Sequence, residues 1–380
     1  METTRIQEAY CGAKVLYMAL ELSAKKWVVL FGGDGLRRRR VTVAAGDLAG
    51  LLQQVALAKS KFGLSEAAKV VSCYEAGRDG FWIHRWLLSQ GIDNRVVDSA
   101  SIEVRQRAKR VKTDRVDVEK LMGLLLRACA GEAKVWSEVR VPTVDQEDGR
   151  RLQRERSRLL GERTQHSNRI KSLLVTQGVS LELRGDFAQA LSDVRCWDGS
   201  PLAPELRLEL TRQWQRYQLV NQQIAELETL QRQRLADPNP ANAAAQMRQL
   251  MLLRSVGVQS AWTLVAELFS WRRIGNRRQV AGLAGLTPTP YNSGDSNREQ
   301  GISKAGNRRV RAAMTELAWC WLRYQPQSAL SQWYERRFGK TGSKRSRRIG
   351  IVALARKLLV ALWRYLEHGV VPDGAALKAA

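Results

Sequence analysis

The chain has little of the two residue types that hold soft metals and disulfides. Its 380 residues include five cysteines and three histidines, and no two cysteines form a C-x-x-C pair. The cysteines are Cys11, Cys73, Cys129, Cys196 and Cys320. This scatter argues against a disulfide framework, a zinc site and a Ser-His-Asp triad. We therefore expect a reduced, cytoplasmic protein whose chemistry depends on carboxylates and hydroxyl groups.

Long apolar segments are missing too. No uninterrupted apolar run approaches the ~20 residues that a membrane-spanning helix needs. The N-terminal residues lack the basic-then-apolar order of a signal peptide. The sequence therefore predicts no membrane partner.

Negative charge is scarce, with 37 Asp and Glu residues against 62 Lys and Arg residues and a net charge of +25. Basic clusters occur at 37–40, 308–309 and 347–348. An excess of this size favours a polyanionic partner, of which nucleic acid is the commonest, and a location at the nucleoid. The alternative is a basic surface that is only well solvated.

The length and the residue pattern predict an α/β region followed by all-α regions, with boundaries at 1–145, 146–240 and 241–380. In the first region, strand-like runs alternate with helical spacing, which is typical of a mixed sheet flanked by helices. The expected strands are Val15–Leu20, Trp27–Phe31, Arg40–Val43, Lys69–Tyr74 and Arg95–Val97, and the expected helices are 46–60, 81–89 and 114–128.

The middle region has apolar residues at three- and four-residue spacing over 151–174 and 204–235, which predicts an antiparallel helical hairpin or a coiled coil. Asp237-Pro238-Asn239-Pro240 then reads as a linker. The last region is expected to be mostly helical. Residues 252–268 have the pattern of a helix, a Gly turn and a second helix, which either grips a DNA backbone or is a plain packing unit.

Four acidic residues stand at positions where a shared role is expected. Glu21 follows the first apolar strand and Glu75 ends a buried one, while Asp114 and Asp117 lie three apart at the start of a helix. Strand ends converge at one edge of a sheet, and an i, i+3 pair shares one helical face. Clustered carboxylates repel each other unless cations lie between them, and hard oxygen ligands hold Mg²⁺. The pattern therefore predicts two Mg²⁺ ions for phosphodiester cleavage.

Each acid also has a structural explanation. Asp114, after Thr113, suits a helix N-terminus, where acidic groups are stabilised by the helix dipole. Asp117 could pair with Lys120 on a solvated helix face. Glu75 could be a strand-end residue that faces water. The functional interpretation depends on all four acids together.

Residues 285–309 combine Gly-rich turns, hydroxyl groups and cations, which is the composition of a phosphate-handling loop before a helix. Ser293 lies between Asn292 and Gly294 in this loop, and Ser296 is its local rival as a nucleophile. A loop serine is more often structural. As a nucleophile Ser293 needs activation by a metal or by another part of the assembly.

Three segments of the sequence each resemble a motif of a known family. They are residues 73–77 (Cys-Tyr-Glu-Ala-Gly), residues 112–117 (Lys-Thr-Asp-Arg-Val-Asp) and residues 285–309. In this order they make the sequence similar, over nearly its full length, to the transposases of the insertion-sequence 110 family, also called DEDD recombinases. The resemblance implies an RNase H-like (RuvC-like) N-terminal domain, a coiled-coil middle and a C-terminal transposase domain. It also implies a Mg²⁺-binding tetrad of Glu21, Glu75, Asp114 and Asp117. The family usually has Asp at the first of these positions, so Glu21 is a departure.

For function, the resemblance implies that Ser293 attacks double-stranded DNA and forms a covalent phosphoserine link. It further implies half-sites built from different subunits of a homo-oligomer, and a structured guide RNA. Two alternatives remain open. One is a RuvC-like nuclease that uses metal-activated water, and the other is an inactive remnant that only binds nucleic acid.

Several basic residues of the two later blocks and the C-terminal region are candidates for nucleic-acid contact. For each, the alternative is a solvated helix face. The stretch 340–348 is expected to be a loop that becomes ordered on nucleic acid. The candidates are Lys112, Lys304, Arg308, Arg309, Arg311, Lys344 and Arg345.

Overall fold

The computed structural model describes residues 15–33, 35–102, 114–237, 242–293, 296–339 and 342–378, with the backbone alone at 100, 114, 115, 242, 292–293 and 296–299. The chain forms two compact units, Met1–Val141 and Pro142–Ala380. The second unit contains both the helical middle region and the C-terminal region. No helix among the described residues is long and apolar enough to cross a membrane.

A mixed five-stranded sheet forms the centre of the first unit. Its strands are β1 (Leu16–Leu22), β2 (Lys26–Gly32), β3 (Arg39–Ala44), β4 (Val70–Glu75) and β5 (Asp93–Val97). They stand in the order β3-β2-β1-β4-β5; β2 is antiparallel to both β1 and β3, whereas β4 and β5 run parallel to β1. The mixed α/β architecture expected for this region is confirmed.

Helices cover both faces of this sheet, so the central strands are buried on both sides and have near-continuous apolar sequences. The helices are α1 (Leu48–Lys61), α2 (Trp82–Ser89) and α3 (Asp114–Cys129). Successive side chains of β1 point to opposite faces. Leu16, Met18 and Leu20 pack in the cluster that contains α1 and α2, whereas Tyr17 and Ala19 pack in the cluster that contains α3.

The second unit begins with two long antiparallel helices. Its first four helices are α4 (Val144–Asp148), α5 (Arg151–Val175), α6 (Phe187–Asp193) and α7 (Pro204–Ala236). Ion pairs from Arg156 to Glu228 and from Arg169 to Glu209 show that α5 and α7 run in opposite directions. The two long helices form an antiparallel hairpin, and the connection between them contains the short helix α6.

The remainder of the second unit is a helical core with one β-hairpin. Its elements are α8 (Asn242–Met251), α9 (Val258–Leu264), a π-helical turn (Val265–Phe269), α10 (Arg277–Leu283), β6 (Pro288–Ser293), β7 (Ser296–Ile302), α11 (Arg308–Tyr324), α12 (Ala329–Phe338) and α13 (Lys344–His368). The core is centred on α13, where Leu354, Leu358 and Leu362 are fully buried beside Leu317 and Trp321 of α11.

Two expectations for this part of the chain are wrong. The Gly-rich stretch of the third sequence block is not a loop: β6 and β7 form an antiparallel hairpin. The dipeptide Gly294-Asp295 is a hairpin-turn signal that explains this outcome. The stretch 340–348 is not a loop throughout, because α13 begins at Lys344 and Ser343 caps it by accepting a hydrogen bond from the Ser346 N–H.

Candidate active site and nucleic-acid interface

Two glutamates occupy equivalent positions on neighbouring parallel strands of the first unit. β1 and β4 pair in register up to Leu20 and Tyr74, so Glu21 and Glu75 occupy the next position on each strand. Adjacent strands lie about 4.8 Å apart, and residues in register point to the same face. The residues two positions earlier on both strands pack in the cluster with α3. Both glutamates therefore lie on the α3 face of the sheet.

A third predicted acid lies on the helix that packs on this face. Asp117 is in the first turn of α3 and is half-buried. The next residue, Val118, and Leu121 are buried against the sheet. α3 begins at Asp114, whose side chain lies outside the described residues. The sheet and one helix thus carry the four predicted acids.

Glu75 and Asp117 have no ion pair or hydrogen bond with a described side chain, although the chain is strongly basic. Glu119, two residues beyond Asp117, does pair with Arg38. The structural alternative for Asp117, a pair with Lys120, is not formed. Across the described ranges, no three His, Cys, Asp or Glu side chains come together around a possible metal position.

Ser293 ends β6 at the tip of the hairpin and pairs with Ser296, the first residue of β7. Residues 294 and 295 lie outside the described part of the chain. The two candidate nucleophiles are thus opposite each other on neighbouring strands.

The base of this hairpin is held by close backbone contacts. Gly285 and Gly306 both have positive φ, 66° and 144°, and a Cβ atom on Gly306 would lie 2.6 Å from the Gly285 nitrogen. Only glycine fits such a contact without displacement. Arg311 donates hydrogen bonds of 3.0 Å to the carbonyls of Ala284 and Lys304, on the two sides of the hairpin. The glycines and the arginine fix how the hairpin leaves the core.

A buried acid connects the helical pair with the hairpin region. Glu267, in the π-helical turn, is 1% exposed. Its carboxylate accepts hydrogen bonds from Arg154 of α5, at 2.6 and 2.9 Å, and from the Asn307 amide at 3.0 Å. Asn307 in turn caps α11, because its side-chain oxygen accepts from the Arg309 and Val310 N–H groups. One carboxylate therefore orients the helix that follows the hairpin.

Opposing effects act on the pKa of Glu267. Burial alone raises it, but the hydrogen bonds from Arg154 and Asn307 and the charges of Arg154 and Arg309 more than compensate. The pKa of Glu267 is therefore below its ordinary value, and the group is ionised in the folded chain.

We expect Glu267→Gln to lower the free energy of unfolding by about 1.5–3 kcal/mol near neutral pH, because Arg154 loses a charged acceptor. The pKa of Glu267 is lower in the folded than in the unfolded chain. Its contribution is complete above the unfolded pKa and disappears as the pH falls through the folded pKa. Thermal melts should therefore show the largest difference between wild type and variant near neutral pH, and a smaller one below the ordinary value of 4.5.

The matched control for this measurement is Glu162→Gln, which removes the exposed partner of Arg158 on the same helix as Arg154. We expect it to change stability by less than about 1 kcal/mol. A Glu267→Gln effect no larger than the control, or one that does not change with pH, would contradict the assignment.

A basic cleft of about 1200 Å³ lies within the second unit among α10, the hairpin base, α12 and α13. Basic side chains line its walls with Asp373 as the one acid in the lining, and apolar side chains such as Leu286 and Trp333 lie between them. The basic residues are Arg277, Arg278, Arg337, Arg345, Arg348, Arg356, Lys357 and Arg364. None of these cations has a carboxylate partner among the described residues. By contrast, Arg156 and Arg169 of the helical pair are matched with glutamates.

Comparison with known proteins supplies the family. The family described as Transposase IS116/IS110/IS902 matches residues 247–334, from within α8 to α12, a segment that includes Glu267, the hairpin and Asn307. The Sinorhizobium fredii protein y4rJ, whose name places it among transposases, is 43% identical over 376 residues, which cover 96% of this chain and 94% of its own. The chain belongs to the IS116/IS110/IS902 family of transposases.

Other relatives agree with this assignment. A second Sinorhizobium fredii protein, y4qE, also named as a transposase, is 30% identical over 84% of this chain and 73% of its own. The transposase for insertion sequence element IS1328 of Yersinia enterocolitica is 27% identical over 70% of this chain and 75% of its own. The chain is thus an insertion-sequence transposase, and DNA is its partner.

The predicted nucleic-acid contacts of this transposase differ in their surroundings. Arg311 is half-buried and holds the hairpin base, so it has a structural role. Arg345 lines the basic cleft. Lys112 lies outside the described residues. The exposed candidates are Lys304, Arg308, Arg309, Lys344 and Arg345.

Two further features of the sequence bear on these sites. In α13, Arg345 and Arg356 are eleven residues apart, close to three full turns, which places them on one side of the helix. Glu267 stands alone in the apolar run Val265–Phe269, and a lone acid in such a run indicates a buried, paired carboxylate.

Proposed function

We propose that this transposase cleaves and rejoins DNA by Mg²⁺-dependent transfer of a phosphodiester to Ser293. The observation that carries the proposal is the placement of Glu21 and Glu75 side by side on the sheet face over which α3 packs. Glu75 has no partner among the described residues of a chain with net charge +25, which favours a role in binding a cation.

The topology of the first unit supports an RNase H-like, RuvC-like fold. Three antiparallel strands lead into strands that run parallel to β1, so that β1 and β4 are central neighbours. Ligands of open α/β sheets bind beyond the carboxyl ends of such strands. Glu21 and Glu75 are at those ends.

The acids fit a magnesium site by their chemistry. Carboxylate oxygens are the ligands that Mg²⁺ takes, and Glu21, Glu75, Asp114 and Asp117 would hold it. When bound, the metal would stabilise the negative charge that develops on the transferring phosphate. Glu21 brings one methylene more than aspartate would, so its strand or rotamer has to accommodate a longer reach.

In this proposal, Ser293 acts as the nucleophile. Its Oγ forms a bond to the phosphorus of the DNA backbone, and the bond from phosphorus to the sugar oxygen of the leaving strand breaks. The serine hydroxyl proton is released, and the leaving oxygen takes up a proton. One phosphoester replaces another, so the reverse step can join a new strand without an outside energy source. The rigid base formed by Gly285, Gly306 and Arg311 supports the hairpin that carries Ser293.

We further propose that the transposase works as a homo-oligomer at the nucleoid with a structured guide RNA. The surplus positive charge and the exposed cations of α11 and α13 support polyanionic partners beyond one DNA duplex. Second copies of the chain follow from the resemblance, in which the two half-sites are built from different subunits.

The proposal predicts a covalent protein–DNA species. The full chain is incubated with duplex DNA that carries the ends of its element, the adjacent non-coding RNA and Mg²⁺, and the products are separated under denaturing conditions. We expect a protease-sensitive adduct that forms in the presence of Mg²⁺ and does not form when EDTA is present. Cleavage without an adduct would make the protein a metal-dependent nuclease that uses water. Binding without any cleavage would make it an inactive remnant.

A further inference from the structure

The basic cleft is elongated. Its lining follows α13 from Arg345 to Arg364, which at the helical rise spans about 28 Å. Its volume is about 1200 Å³. A groove of this length along one helix suits an extended strand of several nucleotides.

The chemistry of the lining fits a single strand as well. Its cations come from separate elements, with Arg277 and Arg278 on α10 and Arg348 and Arg356 on α13. The lining also contains apolar side chains, among them Trp333. Cationic walls that follow phosphates, with aromatic and apolar surfaces that receive bases, are the combination that binds single strands.

The lining also indicates how selective this binding is. No asparagine, glutamine, serine or threonine side chain is among the described residues that line the cleft. Base edges are read by bidentate amides and arginines, and the RNA 2′-hydroxyl by hydrogen-bonding side chains. The described lining therefore offers no amide or hydroxyl side chain for reading base edges or the 2′-hydroxyl, and we assign its cations to phosphates.

The position of the cleft connects it with the reaction. Pro288 and Ile302, at the base of the hairpin that carries Ser293, form part of its lining. Cleavage at the hairpin tip releases a strand end, and the cleft begins at the foot of the same hairpin.

We propose that the cleft among α10, α12, α13 and the hairpin base binds single-stranded DNA without sequence preference and holds a strand separated from its duplex. The inference rests on the proposed function for DNA as the ligand and for the strand end released at the hairpin. It is tested by equilibrium binding without cleavage, so its failure leaves the serine chemistry untouched, and the reverse also holds.

The test compares the double variant Arg348→Gln/Arg356→Gln with wild type by fluorescence anisotropy. The probes are a labelled mixed-sequence single-stranded DNA, the duplex of the same sequence and the RNA of the same sequence, in EDTA. Each lost phosphate contact lowers the salt dependence of single-strand binding by about 0.7, so the slope of log K against log salt should fall by about 1.4. At 0.1 M salt this corresponds to a loss of about 25-fold in affinity for the single strand. Duplex binding should change less than about twofold, because the duplex uses other surfaces.

A matched control removes the same charge elsewhere. Arg212→Gln/Arg216→Gln neutralises two exposed cations of α7 in the same unit, and we expect it to change single-strand affinity by less than about twofold. Equal losses in both double variants would mean a general field effect and would overturn the proposal. A loss for RNA without one for DNA would also overturn it, by making RNA the occupant.

Trp333 gives a second variant that does not change charge. Its ring packs against Phe338 at 5.7 Å and lies under the Lys357 ammonium at 4.7 Å. We expect Trp333→Ala to weaken single-stranded DNA binding by at least about fivefold, the lower bound for loss of one stacked base, and Trp333→Phe to restore most of it. Thermal melts show whether each variant is folded. A folded Trp333→Ala protein with wild-type affinity would show that no base stacks on Trp333 and would count against the proposal.

Discussion

Replacement of Ser293 by alanine is expected to abolish the covalent protein–DNA species that the wild-type transposase forms with Mg²⁺. Without the hydroxyl there is no oxygen to form the new phosphoester, so the loss should be at least about 10⁴-fold and below detection. Binding of the same DNA should remain within about twofold, because a hydroxyl makes a small contribution beside many phosphate contacts. Denaturing gels measure the adduct, and anisotropy measures binding.

Ser296→Ala is the matched control, because Ser296 pairs with Ser293 across the hairpin tip and is the rival nucleophile. We expect it to retain the adduct at more than about one tenth of the wild-type rate. If the two variants gave the opposite result, Ser296 would be the nucleophile. An adduct that survived in both would remove the hairpin serines from the chemistry.

The second large effect is expected from Glu75→Gln. Glu75 has no partner among the described residues, so its replacement breaks no described structural contact. Strand cleavage should fall about a thousandfold, which corresponds to about 4 kcal/mol of transition-state stabilisation. DNA binding should be unchanged or slightly tighter, since one negative charge is removed near a phosphate. The cleavage rate and the dissociation constant are measured on the same substrate.

Glu66→Gln makes the same chemical change at an exposed position of the first unit, outside the paired strands. It should leave the cleavage rate within about twofold, as surface substitutions usually do. A Glu75→Gln variant that cleaved at the wild-type rate would exclude this carboxylate from the site. Loss of binding together with cleavage would give Glu75 a structural role instead.

The fold of the first unit could be predicted from the sequence because its signals are local. Buried strands such as β4 are continuous apolar runs, and α3 has apolar residues at helical spacing, so each element was visible by itself. The order of the strands could not be derived in this way. Whether β1 pairs with β4 depends on contacts between distant residues, which periodicity does not contain.

The hairpin shows how a composition signal can mislead. Glycine, proline and hydroxyl residues over 285–309 favour a loop, and β6 contains two prolines, which weaken a strand prediction. A two-stranded ribbon with no third neighbour tolerates Pro288 and Pro290, because the N–H groups on its outer side need no partner in a sheet. Here the turn dipeptide at 294–295 was more informative than the composition.

For the candidate site, the sequence names candidate residues but contains little about their surroundings. The adjacent positions of Glu21 and Glu75 depend on strand register, and the link from Glu267 to Arg154 spans more than a hundred residues. The basic cleft combines side chains from four separate elements, so no single window of sequence contains it. Only the basic residues of α13 lie close enough together in the sequence to be recognised in advance.

Identification of the residue that carries the DNA tests the central claim most directly. The adduct formed by the wild-type chain is trapped under denaturing conditions, digested with nuclease and protease, and the peptide that retains a nucleotide is sequenced by mass spectrometry. The account predicts a phosphodiester-linked nucleotide on Ser293. A nucleotide on any other residue, or strand cleavage that leaves no modified peptide, would contradict it.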